Sequence, residues 1–85
     1  MRGLVIDGVD QTRQALSEFL TKRGYEVVVA ATGSEGLSRA KTLLPTVAFV
    51  AQHLPDMGGE HLIMPLTNQA VGTRVMMMAD DVELD

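Results

Sequence analysis

The strongest constraint on the fold is an alternation of two kinds of segment. Short apolar runs, Leu4–Ile6, Tyr25–Ala31, Val47–Ala51 and Thr73–Ala79, are separated by longer stretches with helical spacing. Continuous apolar runs of this length suit strands buried on both faces, as in a parallel sheet. Between the first two runs, Ala15, Leu16, Phe19 and Leu20 form one apolar stripe over residues 11–23, closed by Lys22, Arg23 and Gly24. Asp10 stands where an N-cap is expected. Thr32 and Glu35 have the spacing of a capping box, and the helix they open presents Leu37, Ala40 and Leu44 before Pro45 ends it. A weaker helix is predicted over 60–68, shortened or kinked by Pro65. Asp80 and Asp81 read as the start of another helix. The order βαβαβαβ predicts an α/β fold, a doubly wound parallel sheet with helices on both faces. Function in such sheets gathers at the carboxyl ends of the strands.

Composition narrows the function classes. With 85 residues the chain allows one domain, 1–85, and 46% hydrophobic residues exclude a disordered tail. No cysteine is present, so disulfide frameworks, thiolate metal sites and cysteine nucleophiles are excluded. The net charge of −4 argues against direct nucleic-acid contact by this segment. No run approaches the ~20 apolar residues of a membrane span, and a cytoplasmic location is expected. Four of the eleven acids lie in the last six residues, which reads as a chain stopping inside its domain.

Few residues carry chemistry. No Ser/His/Asp or Cys/His arrangement is visible, and residues 32–36 lack a full glycine-rich phosphate-binding spacing. His53 has no second nitrogen or sulfur ligand at a useful spacing, and His61 reads as an exposed helix-start residue. Asp56 follows Pro55 in a turn, where aspartate commonly bonds locally. Met76, Met77 and Met78 read as core, alternate residues facing opposite helical layers.

The stretches LVIDGVDQTRQALSEFL, KRGYEVVVAATGSEGL and VAFVAQHLPDMGG resemble the receiver domain of bacterial two-component response regulators. The resemblance runs from about Leu4 to Ala79 and is nearest to receivers of enhancer-binding transcriptional activators. It implies a flavodoxin-like sheet of order 2-1-3-4, with the family's fifth strand missing from this chain. It also implies phosphoryl transfer to an aspartate ending the third strand, beside magnesium held by two acids after the first. Carried over by position, the phosphoacceptor is Ala51, the acidic pair is Asp7 and Gly8, and the switch hydroxyl is Ala79. His53 takes the position that lends magnesium a carbonyl. Asp7 is left as a weak metal candidate.

The resemblance therefore implies a degenerate receiver without catalytic residues, metal or cofactor. It would be a regulatory module rather than an enzyme. Expected partners are an output domain of the same longer protein, a second copy and a sensor kinase. The fourth strand is expected to be an open edge, which invites pairing through Val75, Met76, Met77 and Met78. An alternative is a ligand-sensing module, with a small molecule or anion in the space vacated beside Gly8, Ala51 and Ala79.

Overall fold

The computed structural model describes residues 1–69 and 72–78. Strand β1 (Arg2–Ile6) leads to helix α1 (Asp10–Lys22), β2 (Glu26–Ala30), α2 (Gly33–Leu43) and β3 (Val47–Ala51). A single 3-10 turn (Gly59–Leu62) then runs into α3 (Ile63–Gln69), and β4 (Arg74–Met78) follows. All pairings are parallel and the sheet order is β2-β1-β3-β4. Ala79, Asp80 and Asp81 lie outside the described residues.

Alternation along the strands divides the sheet into two faces. Leu4 and Ile6 of β1, Ala48 and Val50 of β3, Ala40 of α2, and Leu62 and Leu66 form one buried cluster, joined by Val28, Leu43, Leu54, Met57 and Val75. α2 and α3 pack on this face and touch each other. α1 lies on the other face, against β1 and β2, and buries Leu20. Gly36 sets how near α2 can come: a Cβ there would lie 2.3 Å from Ile6 Cδ1 and 2.8 Å from Cγ1.

Several local expectations change. Asp10 is the first residue of α1 rather than its cap; Val9 holds the cap position without a side-chain bond, and the Asp10 carboxylate pairs with Arg13. Leu44 is exposed, in a left-handed conformation with φ 51°, and Leu43 takes its place against the core. The residue before a proline is pushed out of the helical region, which explains why the helix stops short of Pro45. Pro65 does not break its helix. The preceding 3-10 turn puts it in the first turn of α3, where a missing N–H costs no intrahelical bond.

The methionine stripe is not core. Met76 and Met77 are 49% and 37% exposed, and Phe19 of α1 is 50% exposed. The register places Met76 beside Phe49 and Met77 beside Val50, on opposite faces. Among the described residues, β4 has a strand neighbour on one side only, and α3 and the core contact of Val75 cover part of it.

Gly36→Ala separates packing from helix propensity. Propensity alone favours alanine by about 1 kcal/mol, whereas the contact with Ile6 is expected to cost ~1–3 kcal/mol of overpacking. Urea unfolding should show a net loss of stability; a gain would mean that α2 can lift from β1 freely.

Candidate functional site

The carboxyl ends of β1 and β3 lie side by side in the parallel sheet. Asp7 follows β1 directly and is 5% exposed. Its amide donates to the Ala30 carbonyl at 3.0 Å, extending the β1–β2 ladder by one bond. Its Oδ1 accepts the Val9 amide at 2.9 Å, and its carbonyl accepts Arg13 Nη1 at 2.8 Å. The carboxylate thus closes the turn that launches α1, as a short polar side chain beside an irregular backbone commonly does.

Gly8 has little room beside it. A Cβ at this position would lie 2.8 Å from Pro55 Cδ, so the pyrrolidine ring closes the Gly8 side of the expected pocket. Ala51 ends β3 and is buried. His53 is exposed and forms an isolated antiparallel bridge with Gly58. Asp7, Gly8 and Ala51 therefore come together at the strand ends, with His53 following in the loop. Ala79 falls outside the described residues. Among the described residues, no group of three His, Asp or Glu side chains could hold a metal ion. Magnesium takes several oxygen ligands. Asp7 offers one carboxylate, already holding an amide, and that donor set does not fit the ion.

Two acids with a clear electrostatic role lie just beyond this centre, at the N-terminus of α2. Thr32 accepts the Glu35 amide at 3.1 Å, as the capping-box spacing predicts. Glu35 reaches back to the Ala31 amide at 2.9 Å and pairs with Arg39 at 3.0 Å. The Ala31 N–H, then the Arg39 guanidinium, hold its carboxyl below the ordinary value. Asp56 interacts with its own backbone N–H, as the turn predicts, and also crosses to α2, where it accepts the amides of Gly33 at 2.8 Å and Ser34 at 3.0 Å. Those two N–H groups lower its carboxyl pKa. The first N–H groups of a helix lack intrahelical partners, and Asp56 supplies partners from 23 residues away. No local spacing announces such a contact.

Residues 4–85 match the family model of the response regulator receiver domain. The transcriptional regulatory protein KdpE of Mycobacterium tuberculosis is 45% identical over 56 residues, covering 66% of this chain and 25% of that protein. The alkaline phosphatase synthesis transcriptional regulatory protein PhoP of Bacillus subtilis is 30% identical over 83 residues, covering 96% of this chain and 35% of that protein. A solved response regulator from Burkholderia pseudomallei superposes with a TM-score of 0.89 at 28% identity, covering 98% of this chain and 49% of that one. Chemotaxis protein CheY4 of Vibrio cholerae gives 0.86 at 27% identity, covering 96% and 70%. The chain thus spans a quarter to about a third of the length of the two transcriptional regulators. No helix among the described residues is long and apolar enough to cross a membrane.

Both acids have lowered folded pKa values, so their contribution to stability is complete above the unfolded values of 3.8 and 4.5. It is lost as pH falls through the lower folded values. Urea midpoints measured from pH 6 down to about pH 2.5 should therefore fall. Asp56→Asn should flatten the acid limb; an unchanged limb would show that the carboxylate does not gain from α2.

Proposed function

The chain belongs to the response regulator receiver domain family, and we propose that it works there as a regulatory and dimerisation module without acyl-phosphate chemistry. The observation that carries this reading is Ala51. It ends β3, where the resemblance puts the phosphoacceptor, and its side chain has no oxygen to accept a phosphoryl group. Gly8 and Ala79 remove the second acid and the switch hydroxyl implied by the same resemblance. With Asp7 engaged by Val9 and Gly8 beneath Pro55, the remaining groups are structural. In this reading the domain is not an enzyme and needs no cofactor.

Two of the relatives are transcriptional regulatory proteins, which supports an output domain acting on transcription, joined to this domain in a longer protein. A sensor kinase is the other expected partner, engaging the domain by contact. In this reading the domain occupies 1–85. Support for self-association comes from β4. Val75, Met76, Met77 and Met78 line an edge with a single strand neighbour among the described residues, and Met78 joins Ala15, Leu16 and Phe19 around an apolar groove beside α1. Edges of this kind favour pairing with another chain.

Two experiments test the halves separately. Incubation with acetyl phosphate and magnesium, read by intact mass, should leave the mass unchanged; a stoichiometric phosphoryl adduct would overturn the phosphorylation-independent reading. Sedimentation should show a dimer that Met76→Lys converts to monomer with the fold retained. A monomeric parent chain, or a lysine variant that still dimerises, would remove β4 as the interface.

A further inference from the structure

β2 forms an outer edge of the sheet, with β1 as its one strand neighbour among the described residues. The Glu26 amide donates to the Met1 carbonyl at 2.8 Å, and the Ala30 carbonyl accepts the Asp7 amide at 3.0 Å. Both residues therefore turn their backbone groups toward β1. Alternation along the strand puts those of Val28 on the same side and those of Val27 and Val29 on the outer one. This edge runs between two helices, since α1 and α2 pack against β2 from opposite faces of the sheet. On one face Asp10, Arg13, Gln14, Ser17 and Glu18 of α1 line a groove of about 350 Å³ beside Val29. On the other, Glu35, Ser38, Arg39 and Thr42 of α2 line one of about 600 Å³ beside Val28, with Arg2 and Glu26. Spacings of three and four make each set a single stripe along its helix.

We propose that β2 is a strand-addition site: an extended segment of a partner protein, alternating basic and apolar residues, pairs with its outer edge. The backbone groups of Val27 and Val29 supply the bonds, and the two grooves receive alternate side chains. Charge sets the pattern. In the α2 groove the ions are already paired, Arg39 with Glu35 at 3.0 Å and Arg2 with Glu26 at 3.7 Å, around Val28 and Leu43. That groove suits an apolar side chain. In the α1 groove Arg13 is held by Asp10 and by the Asp7 carbonyl. Glu18 accepts Gln14 Nε2 at 3.4 Å and has no ion-pair partner among the described residues, so this groove takes a cation. A second copy fits the edge poorly. Twofold pairing of two β2 edges would run their α1 helices antiparallel and set the acids at the two ends of the stripe, Asp10 and Glu18, against like charge. A single strand brings no helices and meets no such repulsion. The site is independent of β4 and of whether Ala51 excludes phosphorylation.

An NMR titration of the full chain with an end-capped octapeptide of alternating lysine and valine tests the site. The Val27 and Val29 amides should shift downfield and exchange more slowly with solvent as they gain acceptors. A block isomer, four lysines followed by four valines, has the same charge and should leave both amides in place. So should the alternating peptide with every second backbone nitrogen methylated, which removes donors and keeps the side chains. Glu18→Gln should raise the dissociation constant about twofold to fivefold, as loss of one exposed ion pair does, whereas Glu60→Gln, on the turn before α3, should not change it. Val29→Pro deletes an outward donor that β1 does not use and should abolish the shifts; the methylated peptide carries this arm if the proline variant does not fold. No shift at Val27 and Val29 with peptide at about 1 mM would overturn the proposal. Equal shifts with the block isomer, or shifts at Met76 and Met77 in their place, would overturn it as well.

Discussion

A strand paired on both edges and covered on both faces can place polar groups only at its ends, and β1 is such a strand. It lies between β2 and β3, and Leu4, Val5 and Ile6 have no exposed surface. The first polar side chain after it, Asp7, must then satisfy itself where the ladder runs out. It does so by accepting the amide of the next turn. The same constraint fixes the neighbourhood. α2 approaches β1 closely at Gly36, so the N-terminus of α2 opens beside the end of β1. The loop after β3 can therefore reach both.

In the proposed reading, that arrangement gives a receiver scaffold a structural strand end. A receiver site concentrates negative charge to hold a cation and a phosphoryl group. Here Gly8 and Ala51 carry no charge, and the acid that acts nearby, Asp56, sits on helix amides rather than facing a metal. Charge that would otherwise need a counter-ion is neutralised by backbone donors. The outcome is a strand-end region stabilised by proline packing, an aspartate turn and a distant cap.

Much of this was legible in the sequence. Apolar runs located all four strands to within a residue or two, because a strand buried on both faces leaves a continuous hydrophobic signature. The Thr32–Glu35 spacing correctly marked the start of α2, since capping is local. Features that depend on three-dimensional proximity were not legible. Nothing near Asp56 in the chain names Gly33 and Ser34 as its partners. Leu43 and Leu44 are indistinguishable by composition, and only the left-handed end of the helix decides which faces the core. Met76 and Met77 look like core residues, and their exposure follows from where β4 stands in the sheet rather than from their own chemistry. Pro65 reads as a helix breaker until the 3-10 turn before it shifts the helix start.

In the proposed reading, the strand-end site is not a cation and phosphoryl centre. The most direct test of that reading is a titration of the chain with manganese as a paramagnetic stand-in for magnesium, read as line broadening of individual backbone amides. Asp7, Gly8, Val9 and residues 51–53 should keep their line widths, or broaden no more than exposed acidic positions such as Glu18. Selective broadening of those strand-end amides at low manganese concentration would show that a metal site persists there, and would contradict it.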